Sequence, residues 1–369
     1  MILNYDINKE TNKVYIKKNS NPYILKELER LSSDKKVLFI YDEKINQIFV
    51  KDILNNLKLS GCNIYSQKLA GSKINKTTKT LYKIIDFLLK NNFTKKSVII
   101  SFGGGVIGDI CGLASCLYLR GMIYMHIPTT MTAIVDSCIG GKCGLNYNDV
   151  INSIGVYYHP KSVFVDLRVL QNMPEREYIA GIPEILKYGL IKNRSIISSL
   201  KKDKHLILKR NNKIFQKLIF QSLKTKIYFF LDDIYENNKR LSLNFGHTFA
   251  HAYEMSTQKI FGKEILRHGE AVGVGMLSEI LYSNKMKKNK LFYLCFDILK
   301  MYNLPTELKN YKSSPKFIDL TFKNIFLDKK KISKFPRYIS IKQIGKSRIS
   351  DIEDINLIND VLFEVLGYQ

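Results

Sequence analysis

Three of the chain's six histidines fall close together in sequence and have the chemistry of metal ligands. His247 and His251, in the segment NFGHTFAHAYE, are four residues apart, a spacing that places both on one face of a helix. His268 follows in RHGEAVGVGM. Imidazole nitrogens are common zinc ligands, and a catalytic zinc takes three protein ligands and keeps one position open for water or substrate. The grouping therefore predicts a metal site.

Spacing alone does not fix the complete ligand set of this site. By itself it favours His247 and His251 as joint ligands. Glu184, in GIPEILKYG, is one candidate for a carboxylate ligand. The other carboxylates that the sequence leaves open are Glu254, Glu270 and Asp233.

Four polar residues near this motif suit an anionic substrate. They are Lys187, Lys226, Arg240 and Asn244. Cations beside a divalent metal favour a phosphate or carboxylate group, because guanidinium and ammonium groups are the usual protein partners of such anions. The sequence therefore predicts a substrate that carries negative charge. A neutral polyol would not require these cations.

A glycine-rich segment, VIISFGGGVIGDICG, runs from an apolar stretch through a turn into a helical pattern. Glycines in such a turn let backbone N–H groups approach a pyrophosphate at the start of a helix. The spacing is GGGxxGD and not the common GxGxxG. A second cluster, PTTMTAIVDSCIGGKCGLN, follows at 128–146 and adds hydroxyls, glycines and a lysine. Together the two clusters predict a nucleotide site.

The elements before residue 174 alternate between strands and helices, which indicates a parallel sheet covered by helices. Short apolar runs predict the strands, and apolar residues at helical spacing predict the helices. The predicted strands are 36–42, 63–68, 97–102, 123–127 and 162–166, and the predicted helices are 45–58 and 79–92.

After Met173 and Pro174 the pattern becomes helical. Helices are predicted at 175–195, 196–231, 241–256, 268–284, 290–303 and 350–367, with one possible strand at 337–341. We therefore predict two domains. Residues 1–174 form an α/β nucleotide-binding domain, and residues 175–369 form a helical domain that binds metal and substrate. The active site is expected in the cleft between them.

The chain is strongly basic, with 58 Lys and Arg against 33 Asp and Glu and a formal net charge of +25. The lysines are scattered along the whole length, without the clustered stripe of a nucleic-acid-binding surface, so no nucleic-acid partner is expected. No uncharged apolar run reaches 18 residues, and no membrane association is expected. The N-terminus lacks a signal peptide's apolar region, and the six cysteines show no CxxC spacing. These features predict a cytoplasmic protein with reduced thiols.

Taken together, the motifs resemble the 3-dehydroquinate synthase family of sugar-phosphate cyclases. The matching segments are SFGGGVIGDICGLASCLYLRG, IPTTMTAIVDSCIGGKCGLN, AGIPEILKYGL, RLSLNFGHTFAHAYE and HGEAVGVGM, within about residues 95–275. The resemblance implies an N-terminal Rossmann-like α/β domain that binds NAD, an all-α C-terminal metal-binding domain, an active site in the interdomain cleft and a homodimer.

The resemblance also implies the roles of individual residues. It implies a metal site, for Zn²⁺ or Co²⁺, formed by Glu184, His247 and His268, which leaves His251 for proton handling or substrate contact. The implied substrate and catalytic residues are Lys142, Lys187, Lys226, Arg240, Asn244, His251, Glu236 and Arg120, with Lys329 as a weaker match. Arg120 is expected to reach the substrate phosphate across the dimer interface.

The implied NAD-binding positions follow the two glycine-containing clusters. They are Asp42, Lys76, Gly103, Gly104, Gly105, Val106, Ile107, Gly108, Asp109, Thr129, Thr130, Asp136, Ser137, Lys142 and Asn152. Among the departures from the family pattern are three near the NAD-binding positions: Lys73 replaces a glutamate, Ile151 a lysine and Asn172 a threonine. These departures bear on NAD affinity more than on chemistry, because they leave the implied metal ligands and substrate cations in place.

The implied reaction converts 3-deoxy-arabino-heptulosonate 7-phosphate to 3-dehydroquinate and phosphate, a lyase step of the shikimate pathway. It proceeds by transient oxidation with NAD, phosphate elimination, re-reduction and intramolecular aldol closure. Two other enzymes on the same fold are alternatives: a cyclase for a different sugar phosphate and a metal-dependent polyol dehydrogenase. A non-enzymatic nucleic-acid binder is the alternative that the net charge alone suggests.

Overall fold

The computed structural model describes residues 1–148, 150–309, 315–326 and 335–367, which form two compact units. The first unit comprises Met1–Met173 and Asn212–Ile227, and the second comprises Pro174–Asn211 and Tyr228–Gln369. The division of the chain into domains 1–174 and 175–369 stays a prediction. The compact units differ from it at Asn212–Ile227, which belongs with the first unit.

A seven-stranded sheet forms the centre of the first unit. Its strands are β1 (Ile2–Ile7), β2 (Glu10–Lys17), β3 (Lys36–Asp42), β4 (Asn63–Leu69), β5 (Val98–Gly103), β6 (Ile123–Pro128) and β9 (Ser162–Asp166). The order across the sheet is β1-β2-β9-β6-β5-β3-β4. All neighbours pair in parallel except β1 and β2, which form an antiparallel hairpin. A separate antiparallel ribbon contains β7 (Lys142–Tyr147) and β8 (Val150–Tyr157).

Helices cover both faces of this sheet. They are α1 (Asn21–Leu31), α2 (Gln47–Lys58), α3 (Thr78–Lys90), α4 (Gly105–Leu117) and α5 (Arg168–Gln171). Successive residues of β3 point to opposite faces: Val37 and Phe39 pack into the core that contains residues of α1 and α2, whereas Leu38 and Ile40 pack into the core of α3 and α4. A strand buried on both faces needs an uninterrupted apolar run, which is why KVLFIYD predicts it.

The second unit is largely helical, as predicted, with an added β-hairpin. Its helices are α6 (Glu175–Ile179), α7 (Ile182–Ile191), α8 (Arg194–Lys202), α9 (Lys204–Leu208), the end of α10 (Asn212–Phe230), α11 (His247–Phe261), α12 (His268–Ser283), α13 (Lys290–Met301), α14 (Pro315–Phe326) and α15 (Ile355–Leu366). Strands β10 (Arg337–Gln343) and β11 (Lys346–Asp351) pair antiparallel, and β10 contains the predicted strand 337–341. Among the described residues, no helix combines the length and hydrophobicity needed to span a bilayer.

Two of the predicted long helices are broken into shorter ones: 175–195 into α6 and α7, and 196–231 into α8, α9 and α10. The predicted helix 175–195 is interrupted between α6 and α7 and ends at Ile191, because Lys192 leaves the helical conformation and Asn193 starts a new helix. The Asn193 side chain accepts a hydrogen bond from the backbone N–H of Ser195 at 3.3 Å, as an N-cap residue does. Short polar side chains that cap helices are the local signal that the periodicity analysis missed.

Glu27 on α1 is a buried carboxylate that ties the sheet to the helix. Its oxygens accept hydrogen bonds from Lys13 at 3.0 Å, Tyr15 at 2.7 Å and Ser162 at 3.0 Å, and Arg30 lies 2.5 Å away. Burial alone would raise the pKa of Glu27, but the hydrogen bonds from Arg30, Tyr15 and Lys13 lower it to about 2. The ionised form is therefore the one that the fold stabilises.

We expect Glu27→Gln to destabilise the first unit by about 2 kcal/mol at pH 7. This is less than the loss for a fully buried ion pair, because Lys13 and Arg30 remain partly solvated. A depressed carboxyl pKa stabilises the fold above its unfolded value near 4.5, and this contribution is lost as the pH falls toward 2. Urea unfolding measures the difference, with the exposed Glu175→Gln as control. A wild-type-to-variant difference that persists unchanged at pH 2 would contradict the account.

Candidate functional site

Three side chains of the second unit converge with the geometry of a metal site. Glu184 lies on α7, and His247 and His268 are the first residues of α11 and α12. One potential ligand atom from each lies within 4.8 Å of the other two. The same carboxylate oxygen, Oε1 of Glu184, is 3.5 Å from Nε2 of His247 and 3.3 Å from Nε2 of His268.

Glycines at the starts of α11 and α12 permit this convergence. Gly246 adopts a left-handed conformation (φ +84°) directly before His247, where a β-carbon would lie 2.9 Å from the carbonyl oxygen of Val272. Gly269 follows His268, and a β-carbon there would overlap the carbonyl oxygen of Ala180. The absence of side chains at Gly246 and Gly269 therefore permits close backbone packing next to His247 and His268.

The hydrogen bonds of the two imidazoles determine which nitrogen faces the carboxylate. Nδ1 of His247 lies 3.1 Å from the carbonyl oxygen of Phe245, and Nδ1 of His268 lies 3.1 Å from Oε2 of Glu254. Both partners are acceptors, so in the neutral rings Nδ1 carries the proton and Nε2 presents its lone pair to Glu184. Two lone pairs and a carboxylate oxygen directed at one point are the donor set of a divalent cation, and these residues fit one.

The charges around this point favour a cation as well. Burial raises the pKa of Glu184, but the positive charge of Lys187, 2.5 Å from Oε2, and His247 hold that pKa well below its usual value. Burial lowers the pKa of His268, but the charge of Glu254 and a hydrogen bond to Glu184 raise it to about 10. In the metal-free protein a proton on His268 thus neutralises carboxylate charge that a metal ion would otherwise neutralise.

The remaining candidate carboxylates are held by other partners. Glu270 accepts two hydrogen bonds from Arg176 at 2.7 Å and one from the backbone N–H of Arg267. Asp233 accepts backbone N–H groups of the loop that follows it, including that of Arg240 at 2.9 Å. Glu254 faces Nδ1 of His268, the nitrogen on the far side of the ring from Glu184.

His251 lies beside the three-residue group without joining its Glu184 face. Its ring centroid is 5.5 Å from that of His247 and 6.0 Å from that of His268. Together with Glu254 and His268 it forms a second set of three groups close enough to share an ion. Because both sets use His268, and a neutral imidazole has one lone-pair nitrogen, they do not bind two ions independently.

Glu254, which the sequence leaves open as a metal ligand, instead contacts the ring of His268. It lies seven residues after His247, so the helical spacing that relates the histidines also brings Glu254 to their side of α11. The missing information was the orientation of the His268 ring, which depends on how α11 and α12 pack.

We expect Glu254→Gln to weaken metal binding by about 10- to 100-fold, because the carboxylate would no longer fix the His268 ring and its tautomer. Competition with a chelator gives the affinity, and the absorption spectrum of the Co²⁺-loaded protein reports the ligand geometry. Asp166→Asn is the control, since Asp166 is a buried carboxylate of the first unit that accepts hydrogen bonds from Ser20 and Arg168. Equal affinity in Glu254→Gln and wild type would exclude this role.

The predicted substrate-binding residues of the second unit lie on two elements, helix α7 and the 3₁₀ helix Lys239–Asn244. Lys187 is buried and paired with Glu184. Arg240 and Asn244 lie in the 3₁₀ helix Lys239–Asn244, where Arg240 is 1% exposed and donates from Nη1 to the carbonyl oxygen of Ile234 at 2.7 Å. The Asn244 amide donates to Oε1 of the predicted catalytic residue Glu236 at 2.7 Å.

The predicted nucleotide-binding residues lie at one edge of the sheet in the first unit. Gly103 ends β5, Gly105 begins α4, and Thr129 and Thr130 follow β6. Asp42 ends the neighbouring strand β3, and the carboxyl ends of adjacent parallel strands are where α/β sheets bind nucleotides. The first turns of α4 contain the other predicted positions Val106, Ile107, Gly108 and Asp109.

The glycines of this segment let it pack closely against neighbouring side chains. A β-carbon on Gly104 would lie 2.8 Å from Cγ2 of Thr130, and one on Gly105 would lie 3.2 Å from Oγ of Ser137. The first backbone N–H groups of α4 have no partner within the helix, and they attract negative charge. These residues fit the pyrophosphate of a dinucleotide.

Lysines surround this edge of the first unit. Nζ of Lys76 forms short contacts with the carboxylate of Asp109 and, at 2.5 Å, with Oδ1 of Asn152. Nζ of Lys226, on the part of α10 that belongs to the first unit, lies 2.9 Å from Oδ1 of Asp136. Lys76 thus pairs with Asp109 and Asn152, and Lys226 pairs with Asp136.

Lys142 begins β7 and lines a small cavity together with Asp109, Gly105 and Ser137. Burial raises the pKa of Asp109, and the charges of Lys76, Lys226 and Lys142 oppose that rise. The three predicted lysines therefore act on one carboxylate and oppose the effect of its burial.

The remaining predicted positions lie apart from these groups. Arg120 is exposed, and both it (φ +65°) and Leu119 (φ +50°) adopt left-handed conformations that non-glycine residues rarely take. Lys329 lies outside the described residues. Among the departures from the family pattern, Lys73 begins a 3₁₀ helix at Lys73–Asn75, and Ile151 is 39% exposed on β8.

Comparison with protein families gives matches across most of the chain. Residues 67–180 match the family model described as 3-dehydroquinate synthase N-terminal, and residues 181–331 match the one described as 3-dehydroquinate synthase C-terminal. Together the two models cover well over half of the sequence and include the glycine-rich segment and the three-residue metal group.

Similar sequences and structures agree with those matches. A 3-dehydroquinate synthase from Prochlorococcus marinus (strain MIT 9312) is 34% identical over 330 residues, covering 88% of each chain. One from Ruthia magnifica is 32% identical over 368 residues, covering 98% of each. A crystal structure of 2-deoxy-scyllo-inosose synthase with carbaglucose-6-phosphate, NAD⁺ and Co²⁺ has a TM-score of 0.87 at 23% identity, covering 99% of this chain and 100% of that one. The 2-epi-5-epi-valiolone synthase of Streptomyces hygroscopicus with NAD⁺ and Zn²⁺ has a TM-score of 0.84 at 20% identity, with 99% of each chain covered.

Proposed function

Because the chain belongs to the 3-dehydroquinate synthase family, we propose that it converts 3-deoxy-arabino-heptulosonate 7-phosphate to 3-dehydroquinate and phosphate. The observation that carries this proposal is the convergence of Glu184, His247 and His268 in a chain that matches both halves of the family. Their free lone pairs and ionised carboxylate supply the metal site that the reaction requires.

Two bound groups belong to this proposal. Glu184, His247 and His268 would hold Zn²⁺ or Co²⁺ and leave a position for substrate oxygens. The cradle at Gly104 and Gly105 would hold the pyrophosphate of NAD. When bound, NAD supplies a reversible oxidation at C5 of the substrate, and the metal polarises the reacting hydroxyls.

The chain's own residues would orient the substrate and handle its protons. Arg240 and Lys142 would hold anionic groups of the substrate, and Lys187 and Lys226 would add positive charge that favours the departing phosphate. The amide of Asn244, fixed by Glu236, would contact substrate hydroxyls. His251 lies next to the two histidines of the metal group and would take up or deliver a proton at a substrate hydroxyl.

The proposal extends to assembly and cellular location. Residues of both predicted domains, 1–174 and 175–369, would contribute to the reaction. The protein would act as a cytoplasmic homodimer in which Arg120 reaches the substrate phosphate of the neighbouring subunit. No nucleic acid takes part, since the lysines are scattered and several of them pair with carboxylates at the proposed sites.

The test is phosphate release by the purified, metal-loaded protein with NAD and the heptulosonate phosphate. We expect phosphate to accumulate without net accumulation of NADH, measured at 340 nm, because the oxidation is reversed within each turnover. Stoichiometric NADH would instead identify a dehydrogenase and overturn the proposal.

A cyclase for another sugar phosphate is the second candidate, favoured by the fold similarity to 2-deoxy-scyllo-inosose synthase. Glucose 6-phosphate in the same assay separates the two. Phosphate release from glucose 6-phosphate and none from the heptulosonate phosphate would favour this second function.

A further inference from the structure

A cavity of about 530 Å³ in the second unit is lined by none of the residues assigned to the metal, nucleotide or substrate sites. Its walls come from the ends of α7 and α10, the 3₁₀ helix Lys239–Asn244 and the turn between β10 and β11. This volume is in the range of pockets that hold small organic ligands.

Three lysines from separate segments line the cavity: Lys192, Lys239 and Lys346. The ammonium groups of Lys192 and Lys239 lie 3.6 Å and 3.5 Å from the centroid of the same ring, that of Tyr228. The two positive charges are therefore no more than about 7 Å apart. Like charges at this distance repel each other, and an anion that contacts both would relieve the repulsion.

The protein neutralises only part of this charge. Lys239 pairs with Asp232 at 3.2 Å, and the Asp232 side chain is 76% exposed. Within the part of the chain that the structure describes, no carboxylate oxygen lies within 4.0 Å of the ammonium groups of Lys192 and Lys346. The cavity therefore has two more positive charges than negative ones among its contacting groups.

The rest of the lining is suited to an organic molecule and not to a bare ion. Ile191, Phe229 and Ile349 contribute apolar surface, and the Tyr228 ring is partly exposed. The hydroxyls of Ser242 and Ser347 are hydrogen-bonded to each other at 2.9 Å. Ser347 donates its proton in this bond, so the Ser242 hydroxyl is the one whose proton can be donated to a ligand oxygen.

The segments that carry the lysines are fixed to one another. The backbone N–H of Gly345, directly before Lys346, donates to the carbonyl oxygen of Leu190 at 2.9 Å, close to Lys192. The hydroxyl pair of Ser242 and Ser347 joins the same turn to the 3₁₀ helix. The positive groups are thus held around the cavity by contacts that exist without a ligand.

We propose that this cavity binds a small organic phosphate, with the phosphate dianion at the three lysines and an apolar portion against Ile349 and the ring of Tyr228. A dianion matches the two excess charges, and its three terminal oxygens match the number of ammonium groups. The volume of about 530 Å³ is large enough for a small organic molecule. The site is separate in its residues from the proposed active site and does not depend on the proposed function.

Isothermal titration calorimetry with phenyl phosphate tests the proposal on the full-length, metal-loaded protein. Because the proposed active site also attracts phosphate, Lys142→Ala is the background in which the cavity is measured, since Lys142 is exposed and does not line the cavity. We expect Lys192→Ala/Lys346→Ala in that background to weaken binding at least about tenfold, as loss of charge-assisted contacts would. Lys346→Glu should abolish it. The matched control is Lys209→Ala/Lys300→Ala, which removes two exposed lysines outside the cavity.

The outcomes are distinguishable. Unchanged phenyl phosphate binding in the cavity variants, or equal loss in the control, overturns the site. Equal affinity for inorganic phosphate and phenyl phosphate overturns the assignment of an organic ligand, and tighter binding of benzoate overturns the assignment of phosphate. Thermal unfolding midpoints equal to that of the parent confirm that each variant is folded, as expected for exposed lysines.

Discussion

His268→Ala and Glu184→Ala are each expected to leave the protein with less than about a tenth of its metal, because a three-ligand site loses most of its affinity with one ligand. His251→Ala is expected to retain the metal and to lose about 10²- to 10⁴-fold in kcat, the range for removal of a general acid or base. The reason is geometric: Nε2 of His268 faces Oε1 of Glu184, whereas His251 lies beside the pair. Elemental analysis after dialysis, with phosphate-release rates, measures both effects.

His205→Ala, which removes an exposed histidine on α9, is the control for nonspecific metal binding. Circular dichroism of each variant establishes that the helices are intact, since Glu184 is fully buried. A metal-free His251→Ala together with a metal-loaded His268→Ala would show that the helical pair His247 and His251 binds the ion, as spacing alone suggests.

Loss of Lys142 or Arg240 is expected to cost about 2–5 kcal/mol in transition-state stabilisation, because each would leave a substrate anion without its partner. This corresponds to a fall in kcat/KM of about 30- to 5,000-fold. The assay is phosphate release at sub-saturating substrate with Lys142→Ala and Arg240→Ala. Lys142 is exposed, so its truncation should leave the unfolding midpoint unchanged.

Arg240 is buried and bonded to the carbonyl oxygen of Ile234, so Arg240→Lys is the companion variant that retains charge and most of the volume. Arg194→Ala, at an exposed position at the start of α8, is the control. Wild-type kcat/KM in both Lys142→Ala and Arg240→Ala would place the anion-binding groups elsewhere.

Much of the first unit could be predicted from sequence because its central strands are buried on both faces. β3, β5 and β9 consist of apolar runs, and β3 and β9 match the predicted bounds 36–42 and 162–166. The sequence patterns do not predict β1 and β2, because polar residues interrupt their apolar ones: Asn4 and Asp6 in β1, and Asn12 and Lys13 in β2. β8 is exposed over most of its length and carries no burial pattern at all.

Some parts of the candidate site could be predicted from the sequence, and other parts could not. The glycine-rich segment and the histidines are close in sequence, so motifs reveal them without a fold. The contact between Lys76 and Asn152 joins residues that are far apart in the chain, and no local sequence pattern predicts it. The role of Glu254 depends on the direction of one imidazole ring, which sequence spacing does not specify.

The path of α10 has a consequence for dissecting this protein into fragments. The chain passes between the two compact units three times, after Met173, after Asn211 and after Ile227. A fragment that ends at residue 174 would therefore lack a helix of its own unit, including Gln216, whose amide donates to the carbonyl oxygen of Ile16 at 2.7 Å. Autonomous folding of the first unit would require residues 212–227 to be supplied again, through a linker or as a separate peptide.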